Sequence, residues 1–87
     1  MKYRMIKNLQ YEERKDHLFV LDPSNLRIFE FNSTARLLVL ILCDFKTEKE
    51  LIKEFSHYVK KSENEIQNDA IELLNSLIEL ELIEKEE

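Results

Sequence analysis

The chain contains no glycine in its 87 residues. Glycine is the residue that most readily adopts left-handed backbone conformations, so other residues must build every tight turn and helix end here. The glycine-rich loops that bind dinucleotides or nucleotide phosphates cannot form without it, and neither can the glycine-framed serine elbow of many hydrolases. The sequence therefore argues against a nucleotide-hydrolysing or redox enzyme.

The length and the charge distribution describe one small soluble domain. Hydrophobic residues make up 44% and charged residues 36% of the chain, and the net charge is −5. Residues 1–36 carry seven basic and five acidic side chains, whereas residues 37–87 carry six basic and thirteen acidic ones. Cys43 is the only cysteine, residues 1–16 lack the apolar segment of a signal peptide, and the longest apolar run has seven residues. We expect a cytoplasmic protein that neither forms an internal disulfide nor enters a membrane.

The first third of the sequence predicts three strands, at about 2–7, 17–21 and 26–31. Residues 11–16 are highly polar and are predicted to form a loop. The sequence Asp-Pro-Ser-Asn at 22–25 is a turn signal, because proline presets the backbone and Asp and Asn can bond to nearby amides. In the third predicted strand, alternation places Leu26, Ile28 and Glu30 on one face and Arg27, Phe29 and Phe31 on the other.

The remaining sequence predicts three helices, at about 33–43, 47–60 and 63–81, and the acidic tail at 84–87 is expected to be frayed. Asn32 can cap the first helix, which is apolar almost all round and should be the buried one. The predicted fold is α+β and winged-helix-like, with a three-stranded antiparallel sheet followed by three helices in a single domain. Capping boxes open the second and third helices, at Thr47-x-x-Glu50 and Ser62-x-x-Glu65.

The third predicted helix carries two apolar stripes. One stripe is enough to hold a helix against its own core, so the second needs either more core or a partner. The first stripe contains Ile66, Ala70, Leu73, Leu77 and Leu80, and the second contains Ile71, Leu74, Ile78 and Leu82.

Residue types that carry catalysis are sparse and poorly placed. His17 and His57 are far apart, and neither has a histidine or cysteine at metal-ligand spacing. Cys43 closes an apolar run, which predicts a buried and unreactive thiol. The acidic residues of the third helix are typical of a solvated face. We predict no catalytic residues, no metal site and no cofactor, and hence a protein that is not an enzyme.

The order of these features resembles the pyrroloquinoline quinone biosynthesis protein D family, over roughly residues 17–84. The shared pattern is an apolar hairpin, an Asn after Phe that begins the first helix, Asp before Thr-x-x-Glu, an Asp in the third helix and a Leu-Ile ending. In this chain these are Asn32 after Phe31, Asp44 before Thr47 and Glu50, Asp69, and Leu82-Ile83. Phe45 and Glu81 stand where the family usually has glycine, so we expect both turns to be built without a left-handed residue.

The family belongs to the recognition elements that bind leader peptides of ribosomally made, post-translationally modified peptides (RiPPs). The resemblance implies that a leader adds as a further strand along the strand at 26–31, in the cleft beside the third helix, by β-augmentation. Arg27 or Arg36 would then be available to an acidic leader. The implied binding residues are Leu26, Arg27, Ile28, Phe29, Glu30, Phe31, Ile71, Leu74, Asn75, Ile78 and Leu82.

The resemblance also implies partners, namely the precursor peptide and a modifying enzyme. That enzyme is a radical S-adenosylmethionine protein, or a leader peptidase with a cyclase as in lasso peptide pathways. Two alternatives remain: a winged-helix DNA-binding regulator, and a protein–protein adaptor or homodimerisation module that uses the second stripe. Residues 62–80 contain no Lys or Arg, so the charge pattern favours a peptide over a nucleic acid.

Overall fold

The computed structural model describes residues 1–87 and contains six strands and three helices. The strands form two small antiparallel sheets, and residues of all three helices and of both sheets share one apolar core. The elements are β1 (Lys2–Met5), β2 (Gln10–Arg14), β3 (His17–Asp22), β4 (Arg27–Phe31), α1 (Ser33–Ile41), β5 (Lys46–Thr47), α2 (Glu48–Val59), α3 (Glu63–Glu79) and β6 (Ile83–Glu86).

The larger sheet has the strand order β2-β3-β4, with β3 in the middle. Leu18 and Val20 of β3 are fully buried and alternate with half-buried neighbours, so one face of this sheet covers the core. In β4 the half-buried and exposed residues alternate as the sequence predicted, with Arg27, Phe29 and Phe31 on the inner side. β4 pairs only with β3, which leaves its other edge free.

The strand β2 was predicted to be part of a loop, and that prediction is wrong. All five of its residues are exposed, so it has no hydrophobic alternation for the sequence to show. Backbone pairing to β3 holds it instead, through a two-residue turn in which Lys15 and Asp16 both adopt left-handed conformations, with φ of 49° and 68°. Two left-handed residues give the type I′ turn that matches strand twist, here without its usual glycine.

The second sheet, in the order β5-β1-β6, corrects two further expectations. The N-terminal strand was predicted to belong to the main sheet and the acidic tail to be frayed, yet Lys2–Met5 pairs with Ile83–Glu86 along its whole length. The side chains of Arg4 and Glu84 form an ion pair across this ladder. The two ends of the chain therefore pair with each other, through contacts between residues about 80 positions apart in the sequence.

α1 contacts β3, β4 and the other two helices, and α2 also packs directly against α3. The predicted caps are confirmed, because Asn32 accepts a hydrogen bond from the Ala35 amide and both capping boxes are formed. The helices end slightly earlier than predicted, at Ile41, Val59 and Glu79. None of the three combines the length and apolar character needed to cross a bilayer.

The missing glycines are replaced by six other residues with left-handed backbone. Phe45 is not among them, as expected, and its ring lies under the Arg4 guanidinium at 4.2 Å. The expectation for Glu81 is wrong: its φ is 62°, and it ends α3 where the Leu82 amide bonds back to the Leu77 carbonyl. Each such non-glycine residue costs about 1 kcal/mol relative to glycine. The six are Asn8, Lys15, Asp16, Leu26, Lys60 and Glu81.

Candidate peptide-binding cleft

The free edge of β4 runs beside α3, and the seam between them is apolar. Phe31 of β4 meets Leu73, Ser76 and Leu80 of α3 there, above Leu77 and the α1 residues. We call this seam the β4–α3 cleft. Only about 30 Å³ is open in it, roughly the volume of one water molecule. A bound side chain would therefore have to displace the residues that line the cleft.

A broader depression of about 440 Å³ lies between α1, α2 and the start of α3, with residues of all three helices in its lining. It lies between the first turn of α1 at Ser33 and Thr34 and the α3 residues Ile66 and Asp69. Asp69 precedes Leu73 by four residues and therefore lies on the same side of the helix. The β4–α3 cleft itself follows α3 for about 10 Å, the rise from Leu73 to Leu80, which matches about three residues of an extended peptide.

Of the β4 residues that were predicted to bind a leader, Arg27, Phe29 and Phe31 lie on the inner side next to α3. The predicted residues Leu26, Ile28 and Glu30 are exposed, the first two by 85% and 70%. Ile28 faces the outer side of the sheet, beside Phe19 and Leu21. The alternation therefore splits the predicted set between the two faces of the sheet.

The predicted α3 residues do not line the cleft. Leu73 and Leu80 line it, and Ile71 and Ile78 lie about 160° away around the helix axis, since each is two residues removed. Leu74 and Leu82 are 2% and 0% exposed in the core, because the helix turns that stripe inward. Asn75 is exposed on the side away from β4. A role of Ile71, Leu74, Asn75, Ile78 and Leu82 in peptide binding stays a prediction.

Sequence reasoning assigned Leu73 and Leu80 to the core stripe, and it missed Ser76 altogether. Both stripes of α3 are apolar, so the sequence alone does not say which one faces the sheet. The structure brings Leu73 and Leu80 to the sheet because the end of α3 is tied to the start of β4. The Arg27 Nη1 atom donates to the Leu80 carbonyl oxygen at 3.1 Å.

Arg27 and Asp22 form a polar cluster at this end of the cleft. Arg27 Nη2 donates to Asp22 Oδ2 at 3.3 Å, and the guanidinium also lies 5.1 Å from the Phe29 ring centroid. The Ser24 hydroxyl and the Asn25 side-chain amide donate to the same carboxylate. Asp22 is 3% exposed and is the only charged residue among the buried ones. The cluster fixes the β3–β4 turn to the end of α3.

We expect the Asp22 cluster to make the stability of the protein depend on acidic pH. Hydrogen bonds from Ser24, then from Asn25 and Arg27, lower the pKa of Asp22 to about 2. Because the folded-state pKa lies below the ordinary value, the stabilisation is present above about pH 4 and is lost as the pH falls through about 2. Asp22→Asn should lower the free energy of unfolding in urea at pH 7, by an amount that shrinks between pH 4 and pH 2. A difference that is independent of pH would contradict this role, and Asp44→Asn at an exposed site is the matched control.

The arginines proposed for an acidic leader are already engaged. Arg27 contacts Asp22 and Leu80, and Arg36 pairs with Glu13 at 3.4 Å. Their guanidiniums are partly buried, with 35% and 21% of the side chain exposed. Each guanidinium has five N–H donors and keeps others beyond its ion pair, so a role for either arginine in binding an acidic leader stays a prediction.

Cys43 is exposed, which corrects the prediction of a buried thiol. Desolvation nevertheless raises the pKa of this thiol, so its reactive thiolate form is scarce at neutral pH. Desolvation is the main cause, and the neighbouring Cys43 the second cause, that raises the pKa of Tyr11 to about 12.

His17 Nδ1 lies 2.8 Å from a carboxylate oxygen of Glu30 on the outer face of the sheet. No group of three or more potential ligands is placed to hold a metal ion.

Comparison with known proteins gives one family and one solved structure. The family model described as coenzyme PQQ synthesis protein D (PqqD) matches residues 17–83. The fold is similar to that of a structure described as TbiB1 in complex with the TbiA(beta) leader peptide, with a TM-score of 0.79 and 14% sequence identity. The alignment covers 97% of this chain and 98% of the other. No curated protein sequence matches the chain at a significant level.

Proposed function

Because the chain belongs to the coenzyme PQQ synthesis protein D family, we propose that it is a non-catalytic RiPP recognition element. It binds the leader region of a precursor peptide as an added strand along β4. The observation that carries this proposal is the free edge of β4 beside the apolar seam of α3. Open strand edges invite pairing with another chain, and proteins normally protect them. An unprotected edge next to an apolar cleft suits β-augmentation.

The backbone and the cleft have separate tasks in this proposal. Alternate residues of β4 direct their amide and carbonyl groups away from β3, and these supply affinity for any extended peptide. Phe31, Leu73 and Leu80 supply selectivity, because they accept apolar side chains from one face of the added strand. The likeness to the TbiB1 fold supports the proposal, since that protein was solved with a leader peptide.

The proposed partners follow from the same role. The domain delivers its precursor to a modifying enzyme, either a radical S-adenosylmethionine protein or a leader peptidase with a cyclase. A cytoplasmic location is part of the proposal and is supported by the single cysteine, which excludes an internal disulfide. The DNA-binding alternative has no support in α3, where residues 62–80 lack the Lys and Arg that would meet phosphates.

Fluorescence polarisation tests the proposed function. A candidate precursor is first sought among the short reading frames next to the gene of this protein. Its leader segment, labelled with fluorescein, is the probe and is titrated with the full-length protein. We expect saturable binding in the range of about 1 μM or tighter, typical of strand addition with a side-chain pocket. A scrambled peptide of the same composition is the control. Absence of binding at about 50 μM, some 50 times weaker than the expected affinity, would contradict the proposal.

A further inference from the structure

An exposed ridge of α3 borders the β4–α3 cleft, and it is acidic. Asp69, Glu72, Ser76 and Glu79 follow one another at spacings of three and four residues, so they lie along one line of the helix surface. Ser76 lines the cleft itself, and the three acidic residues beside it are exposed. A strand lying in the cleft would pass along the part of this ridge from Glu72 to Glu79, a helix rise of about 10 Å.

The acidic ridge has no basic partner within the chain. None of Asp69, Glu72 and Glu79 has a basic side chain within 4 Å. Asp69, however, lines the same depression as Arg36 and Lys61. The uncompensated negative charge beside the cleft is therefore that of Glu72 and Glu79. Lys60 and Lys61, which form no ion pair, precede the first turn of α3, so the negative stretch is strongest from Glu72 to Glu79.

We propose that the leader segment bound in this cleft carries Lys or Arg on the side chains that face α3. This inference rests on the proposed function and specifies the class of peptide for the same site. Alternate side chains of an added strand point the same way, so the basic residues would stand two or four positions apart. The intervening residues would face the opposite side of the added strand. Each exposed pair contributes up to about fivefold in affinity and is weakened by salt.

Selection from a random peptide library tests this charge preference. A display library of twelve-residue peptides is panned on the immobilised full-length chain, and clones are kept if Leu80→Glu, inside the cleft, abolishes their binding. We expect Lys and Arg at alternate positions to be enriched several-fold over the unselected library. Affinity of the selected peptides should fall about tenfold between low and physiological salt, as expected for two screened pairs.

Charge reversal on the ridge gives the decisive comparison. Panning on the Glu72→Lys, Glu79→Lys double variant should shift the enrichment to Asp and Glu. Glu86→Lys with Glu87→Lys changes the net charge equally, at the end of the other sheet and just beyond it, and should leave the Lys and Arg preference intact. Two results would overturn the inference and leave the proposed function standing. One is that the cleft-dependent clones show no enrichment of Lys and Arg. The other is that both double variants change the charge preference in the same way. Failure to recover any cleft-dependent clone would instead count against the proposed function, and the inference would fall with it.

Discussion

Leu73→Ala is expected to weaken leader binding by about 30-fold, whereas Ile71→Ala should leave the dissociation constant within about threefold of the original. Loss of an aliphatic anchor at the centre of a binding site costs about 2 kcal/mol. Leu73 lines the β4–α3 cleft, and Ile71 lies on the far side of the same helix. The two residues are matched, because both are half-buried against the core. The measurement is a leader titration by fluorescence polarisation, with a thermal melt of each variant.

This pair of variants separates the site seen in the structure from the one that the apolar pattern predicted. The sequence placed Ile71, Leu74 and Ile78 in the cleft, and the structure places Leu73 and Leu80 there. A larger loss of affinity in Ile71→Ala than in Leu73→Ala, at equal melting temperatures, would show that the peptide uses the other side of α3. Equal losses of affinity that follow equal losses of stability would contradict the role of Leu73 as the anchor of the peptide.

Removal of residues 82–87 is expected to destabilise the protein by about 3–5 kcal/mol. Leu82 is fully buried, and loss of a buried leucine side chain alone costs about 2–5 kcal/mol. The truncation also removes the whole of β6, which pairs with β1 from Lys2–Glu86 to Met5–Ile83. Because a domain of this size has a total stability of about 5–15 kcal/mol, the truncated chain should be partly unfolded at 37 °C.

Urea unfolding monitored by circular dichroism measures this loss. Removal of Glu87 alone, which lies outside β6, is the control and should change the midpoint little. A loss below about 1 kcal/mol for the full truncation would support the frayed acidic tail that the sequence suggested. It would also mean that the β1–β6 ladder contributes little to holding the N-terminal strand.

The helices and the β3–β4 hairpin could be predicted because their signals are local. A capping box lies within four residues, and the alternation of β4 is visible in Arg27–Phe31 alone. The β1–β6 pairing joins residues about 80 positions apart, and nothing near either end signals it. β2 was missed for another reason: its five exposed side chains show no alternation, and only its backbone bonds to β3 make it a strand.

The glycine-free turns show how far a residue pattern can specify backbone conformation. At Phe45 the chain turns without left-handed backbone, but at Glu81 it keeps the conformation that glycine would favour. The bond from the Leu82 amide to the Leu77 carbonyl fixes the end of α3 there, and burial of Leu82 holds it. Tertiary packing therefore imposes left-handed backbone on Glu81, although this residue is not glycine. The presence of Glu81 in place of the family's glycine for this reason did not predict the backbone conformation of the turn.

Hydrogen exchange of the β4 amides, with and without the leader peptide, tests the central claim most directly. In the free chain, the amides of Arg27–Phe31 that point away from β3 have no partner strand and should exchange rapidly. Saturation with leader should slow them by about 100-fold or more, as hydrogen-bonded strand amides are slowed, and leave β2 unchanged. Unchanged exchange in β4, together with protection that appears in β2 or in the small sheet, would contradict strand addition at this edge.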